Sequence, residues 1–196
     1  MNAACGASNQ RHSMKRLLSS VLVIAGLLAG PGVHAEKADS TKPTNVEANK
    51  MEYDDVKQIN VFTGDVVLTR GTIRMTSARM VVRQDPEGYQ FVTMYAPPNG
   101  LATFRQKRDG GNDQWIEGKA ERIEYDDKTE IMKLFVRAEM RRLENGKSTD
   151  EVQGEYISYD TRAEFFTVHN TASGDSKPGA GRIKAVIQPR NEAGAK

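Results

Sequence analysis

The chain has 196 residues, 28 Lys and Arg against 26 Asp and Glu, and one cysteine. That length is one domain's worth, and a charge so close to balance lacks the concentrated positive face that a nucleic-acid binder needs. Cys5 lies in a segment expected to be removed, so the mature chain would have no disulfide and must rely on burial and backbone pairing.

Residues 1–35 have the pattern of a secretory leader. Met14-Lys15-Arg16 supplies a basic start, an apolar run of about 13 residues follows at 17–29, and Val33-His34-Ala35 offers small residues where a signal peptidase reads. The run is short of the roughly 20 residues a spanning helix needs. Cleavage is expected after Ala35, with Met14 an alternative start. Cys5 precedes the apolar run and is not placed for lipid attachment. Removing Arg11, Lys15 and Arg16 leaves 25 basic against 26 acidic side chains, a net charge near −1. Residues 36–43 are polar and aperiodic, a flexible lead-in to a domain over 44–189, and 190–196 form a polar tail expected to be disordered.

From Thr44 onward, short stretches rich in Val, Ile, Thr, Tyr and Phe are separated by turn signals every 8–12 residues or so, which indicates a single all-β domain. Gln84-Asp85-Pro86-Glu87-Gly88, Pro97-Pro98-Asn99-Gly100, Asp109-Gly110-Gly111-Asn112 and Glu144-Asn145-Gly146-Lys147 are explicit reversals. Residues 173–181 read as a mobile loop and 182–188 as a last strand closed by Pro189.

A degenerate phrase recurs through this region. It runs Val46-Glu47-Ala48-Asn49-Lys50-Met51-Glu52-Tyr53-Asp54, and returns around Ser77, Ala120 and Gly154. A unit of about 30–40 residues that recurs in this way marks a repeat whose neighbours share one core. Ala48 and Met51 are three apart, as are Ser77 and Met80, Ala120 and Ile123, and Gly154 and Ile157. Side chains two apart on a strand share a face. If all of these residues face inward, a bulge or bend must absorb one residue in each copy. Bends at matching places fold the sheet over on itself, giving two facing sheets and an interior slot of jelly-roll type.

The interior inferred from this pattern contains Val46, Met51, Tyr53, Ile59, Val61, Val66, Leu68, Ile73, Met75, Met80, Val82, Phe104, Ile116, Ile123, Tyr125, Val152, Ile157 and Tyr159. Gly64, Ala48, Ala120 and Gly154 thin it at intervals, which is expected to leave room between the sheets. Such a set makes an ordinary closed core in most β-proteins. The methionines suit a lining that accepts flexible apolar chains.

Motifs for chemistry are missing. No G-x-S-x-G, phosphate-cradling Gly loop or His pair at metal spacing occurs, so no catalytic residue, cofactor or metal is expected. His169 is the one mature histidine. Glu52-Tyr53-Asp54-Asp55 recurs as Glu124-Tyr125-Asp126-Asp127; calcium sites and solvated hairpin ends are both open, with turn chemistry favoured. Paired acids for a glycosidase would have to face the interior, and these alternate with the apolar residues. Arg70, Arg74, Arg79 and Arg83 form a stripe of which three members are expected on the outer face. Trp115 is expected to pack rather than stack on a sugar.

The run Val61-Phe62-Thr63-Gly64-Asp65-Val66-Val67-Leu68-Thr69-Arg70-Gly71-Thr72-Ile73 resembles the strand-turn-strand of the OstA-like periplasmic lipopolysaccharide-transport proteins. Ala102-Thr103-Phe104, Gly118-Lys119-Ala120 with Tyr125, and Gly154-Glu155-Tyr156-Ile157-Ser158-Tyr159 fall where that family has its matching segments. The resemblance covers roughly residues 44–189. It implies an open-ended, twisted jelly roll of antiparallel strands whose apolar groove holds the acyl chains of lipid A, with no enzymatic activity. It also implies end-to-end stacking of copies, and docking onto related jelly rolls at the inner and outer membranes. Lipid-contacting positions of the family map onto Thr44, Val46, Phe104 and Tyr125. The groove is expected to continue over Met51, Tyr53, Val66, Leu68, Met75, Met80, Ile116, Ile123, Ile157 and Tyr159. Two departures stand out: the family's second Thr-Gly turn is Val136-Arg137-Ala138-Glu139 here, and a family apolar position two beyond the tyrosine is Asp127. The alternatives are another carrier domain of the same family, anchored at the inner membrane, and a periplasmic carbohydrate-active enzyme on a jelly roll.

Overall fold

The computed structural model describes Asp39 and residues 41–108 and 113–189. The expected leader and its cleavage site, half of the lead-in and the tail at 190–196 lie outside the described residues. Among them are twelve strands: β1 (Asn45–Glu47), β2 (Lys50–Asp54), β3 (Ile59–Arg70), β4 (Ile73–Gln84), β5 (Gln90–Tyr95), β6 (Ala102–Lys107), β7 (Gln114–Ala120), β8 (Arg122–Asp126), β9 (Ile131–Glu144), β10 (Lys147–Asp160), β11 (Phe165–His169) and β12 (Lys184–Ile187).

Every pairing is antiparallel, and the strands form two layers. One layer runs β2, β3, β4, β5, β8, β9, β10, β11. The other runs β1, β3, β4, β6, β7, β9, β10, β12. The long strands β3, β4, β9 and β10 belong to both layers. The chain is therefore an eight-row meander in which each row crosses from one sheet to the other.

The crossings fall where the repeated phrase places them. In β4 the bend lies between Ser77 and Arg79, opposite an irregularity between Thr63 and Val66 of β3, and in β10 the register shifts between Gly154 and Tyr156. The first row breaks at 48–49, between β1 and β2, and the fifth at Glu121, between β7 and β8. The second and sixth rows use a different device. Gly64 and Asp65 take left-handed backbone at φ 83° and 46°, and Val136 and Arg137 do the same at 62° and 52°. The second turn thus keeps its shape without glycine, and Val136, a β-branched residue, occupies a region such residues avoid. Arg137 fastens this kink by donating to Glu121 Oε1 at 2.8 Å and to the Gly100 carbonyl at 3.1 Å.

The hairpins at the tips of the first layer share one construction. Asp54, Asp126 and Asp160 each accept a backbone N–H from their own turn, from Lys57 at 3.0 Å, Lys128 at 2.9 Å and Arg162 at 3.0 Å. Gln58, Glu130 and Glu164 then take left-handed backbone to re-enter the next strand. The repeated acidic pairs are turn residues, and Glu124 lies on the outer face, bridged to Arg122 at 3.1 Å. Among the described residues no three acidic, His or Cys side chains are grouped to hold a metal.

Ile59 and Val61 correct the expected interior. Their register partners are Arg83 and Val81, on the outer face, whereas Phe62 and Asn60 pair with the inward Met80 and Val82. Polar Asn60 at an inner position, near the open edge, disguised the phase of this strand.

Close packing at the bend leads to a direct test. A Cβ at Gly154 would lie 2.6 Å from Val168 Cγ1 and 2.8 Å from the His169 carbonyl oxygen, which is backbone and yields little. Gly154→Ala should cost roughly 1–3 kcal/mol by overpacking, read in a thermal melt as a Tm lower by about 3–10 °C.

Candidate functional site

Residues directly opposite one another in neighbouring strands share a face, so the register assigns the lining of the slot. In the first layer, one inner ladder runs Met51, Phe62, Met80, Met94, Ile123, Leu134, Ile157, Val168 across all eight rows. A second runs Tyr53, Asn60, Val82, Val92, Tyr125, Met132, Tyr159, Phe166. In the other layer the ladder is Val46, Leu68, Met75, Phe104, Gly118, Met140, Val152, Ala185.

The expected lining residues divide by position along these ladders. Val66, Leu68, Met75, Met80, Phe104, Ile116, Ile123, Ile157 and Tyr159 are buried between the sheets. Val46 and Tyr125 pack against that core and are half-buried. Met51 and Tyr53 share the inner face but sit on the edge strand β2, where nothing covers them, and are 56% and 52% exposed. Thr44 is exposed and lies at the cleft described below. Val92, Met94, Met132, Leu134 and Met140 are equally buried lining residues that lie outside the repeated phrase. The alternation Val92, Met94 between two turn signals, and Met132, Leu134 in β9, were the signals available for them.

Small residues do not leave the slot open. Gly118 stands beside Phe104 in the ladder, and a Cβ there would meet Leu134 Cδ2 of the opposite sheet at 2.9 Å and Phe104 Cδ1 at 3.2 Å. The space is taken by the ring and the leucine. Among the described residues a cleft of about 30 Å³ lies at one mouth of the slot, lined by Thr44, Leu68, Arg70, Ile73, Met75, Gln90, Val92, Tyr125 and Asp127. That is room for a water or two.

The cleft has an apolar floor and a charged rim. Arg70 is the one member of the arginine stripe on the inner face; it pairs with Ile73 in register, while Arg74, Arg79 and Arg83 point outward. Arg79 and Arg83 cover Tyr95 and Phe91 at 5.4 and 4.8 Å. Trp115 is likewise on the outer face, under Arg105 at 4.1 Å. Beside the cleft, Asp39 reaches into the end of the second layer. Its carboxylate accepts from the Thr72 N–H at 2.7 Å and the Thr72 hydroxyl at 2.6 Å, over Gly71, where any Cβ would collide with it.

Burial holds the Tyr125 phenol neutral, well above its ordinary pKa of 10.0, and the nearby Asp127 and Glu130 carboxylates add to the effect. Stability from such a group is present below the unfolded value and is lost as pH rises past it, because only the unfolded chain then releases the proton. In denaturant titrations, the chain should lose roughly 1 kcal/mol more between about pH 10 and 11 than its Tyr125→Phe variant does. Parallel curves would show that Tyr125 is not buried as described.

The comparisons with known proteins agree with this architecture. Residues 45–165 match the family model described as LptA/(LptD N-terminal domain) LPS transport protein. The lipopolysaccharide export system protein LptA of Haemophilus influenzae is 27% identical over 180 residues, covering 90% of this chain and 95% of that protein. The lipopolysaccharide export system protein LptH of Pseudomonas aeruginosa is 28% identical over 182 residues, 91% of this chain and 99% of that one. The crystal structure of P. aeruginosa LptH, described as the LptA homologous periplasmic component of the lipopolysaccharide transport device, superposes with a TM-score of 0.66 at 26% identity, covering 78% of this chain and 99% of LptH. An eight-row folded meander with an apolar slot and a family match across most of it place this chain in the LptA/LptD N-terminal family of lipopolysaccharide transport proteins.

Proposed function

We propose that this protein is a periplasmic carrier and bridge for lipopolysaccharide, shielding lipid A acyl chains between its two sheets and passing the lipid from the inner toward the outer membrane. The observation that carries the proposal is a slot whose inner ladders are apolar across the rows apart from Asn60 in the second, in a chain of the lipopolysaccharide transport family. The carrier performs no chemistry of its own, and net movement is driven by partners. Burial contributes about 0.8 kcal/mol per methylene, offset by ordering of the chains.

Two edges of the folded sheet are unpaired among the described residues: β1 with β2, and β11 with β12. Both expose apolar side chains, Met51 and Tyr53 on one and Val186 and Ile187 on the other. Edges of this kind are satisfied by strand addition from a partner. The proposed partners are further copies of this chain, an LptC-like jelly roll at the inner membrane and an LptD-like jelly roll at the outer membrane.

Photocrosslinking in cells that make lipopolysaccharide tests this. A photoreactive residue at Val46, Phe104 or Tyr125 should give lipopolysaccharide adducts, and one at outward Arg79 should not. Adducts at none of the three inner positions sink the proposal. Phe104 is the sharpest position, since its ring is buried and an adduct there requires the sheets to part.

A further inference from the structure

Each end of the folded sheet carries a charge that the chain itself leaves unmatched. On the outer face of the second layer, one ladder begins at Glu47 on β1, passes through Lys119 and Glu139, and ends at Lys184 on β12. Where opposite charges meet across the strands of this layer, they pair. Lys119 reaches its register partner Glu139 at 2.7 Å, and Arg141 reaches Glu117, also directly opposite, at 2.7 Å. Glu47 and Lys184 are exposed, and among the described residues neither side chain has a hydrogen bond or ion pair. The two have opposite signs and stand at one level of the ladder, at its two ends.

The number of rows turns this correspondence into a fit. Rows alternate in direction, so with eight of them the last runs antiparallel to the first. Successive residues of an antiparallel strand bond to alternate neighbours, so the hydrogen-bond phase repeats every two rows. An even count therefore lets the first row of a second copy follow the eighth with direction and phase unbroken. In that unshifted register Glu47 falls opposite Lys184, and Asn45 opposite Val186. The inner faces agree, since Met51 then meets Val168 and Tyr53 meets Phe166. A slip of two residues sets Met51 against Asn170 in one direction and Tyr53 against Glu164 in the other. Joining like edges brings neither charge its opposite: Glu47 would face itself or an asparagine, and Lys184 itself, Arg182 or Val186.

Deepening the assembly of copies proposed above, we propose that copies of this chain join in this single register, with Glu47 of one copy paired to Lys184 of the next. The pair selects unlike edges over like ones and fixes which residue faces which. Both sheets and their inner ladders then continue across the junction. Backbone pairing and apolar cover supply most of the attraction, and the ion pair supplies the choice of partner edge.

Two measurements on the purified protein test this. The first follows assembly mass against concentration by analytical ultracentrifugation at low salt. Glu47→Lys and Lys184→Glu should each weaken association roughly three- to thirtyfold, as an exposed attraction gives way to a repulsion of similar size. Both reversals in one chain should restore it. The second works in a Cys5→Ser background and leaves the charges in place. Chains with Asn45→Cys are mixed with chains carrying Val186→Cys and oxidised. A disulfide should form, and Lys184→Cys or Gln188→Cys in place of Val186→Cys should give little, since diagonal neighbours lie beyond disulfide reach. If position 45 links better to 184 or 188, or if the double reversal fails to restore association, the register is overturned while assembly stands. If the wild type remains a monomer at every concentration, the proposal falls, and the carrier function is still decided separately by lipopolysaccharide adducts at Phe104.

Discussion

An antiparallel strand cannot bend alone, because its neighbours on both sides hold its backbone. In this chain a row that steps by three residues between inward side chains, such as Ser77 to Met80, lies beside one that steps by four, Phe62 to Val66. The mismatch of one residue is what turns the ladder. Each bend therefore requires its neighbour to bend at the same level, and the fold propagates across all eight rows. Backbone hydrogen bonds pin the crossing: Asn49 N–H to the Gly64 carbonyl at 3.0 Å, Ala96 N–H to Glu121 at 2.8 Å, and Glu121 N–H to Val136 at 3.0 Å. The two sheets, the slot and the open edges all follow from this one constraint.

Half of that constraint was legible in the sequence. The odd step recurs at Ala48, Ser77, Ala120 and Gly154, and the structure bends at each of them. The second and sixth rows were opaque because a step of four preserves parity and leaves no trace in the alternation. Their left-handed residues announce themselves at Gly64 but not at Val136 and Arg137, where the neighbouring rows impose a conformation the residues do not favour. Parity also shows which face a side chain takes, not whether anything covers it. Met51 and Tyr53 are inward and exposed because theirs is the first row. Asp127, a charge where the resemblance implied an apolar residue, made sense only with its partner Arg70, 57 positions earlier in the chain, on the inner face.

The filled interior bears on how such a slot holds a ligand. Phe104, Met80, Met94, Met132 and Met140 are already out of water. Under the proposed carrier function, an acyl chain entering between them would gain its own transfer from water but replace contacts the sheets make with each other, such as Leu134 against the Phe104 and Gly118 region. The net affinity per methylene would then fall below the full transfer value of about 0.8 kcal/mol. Methionine keeps that loss small, since its unbranched thioether repacks against either a neighbour or a chain. A slot that gained only modestly from each lipid would also release it readily, which suits the proposed relay.

For the proposed relay, the edges would set the geometry. The strand path begins with β1 and β2 and ends with β11 and β12, so the two unpaired edges are different surfaces. Pairing of one edge with the same edge of another copy closes a two-fold dimer and ends growth. Pairing of unlike edges is heterologous and extends in a line. In the linear arrangement the inner ladders of one copy abut those of the next, because cross-strand pairing carries each column of side chains onto the added strand with its face unchanged. The apolar lining then runs on without a polar break at the junction. Met51 and Tyr53 would gain the cover they lack in the single chain, and in the proposed function a lipid leaving one slot would meet the next before it met water.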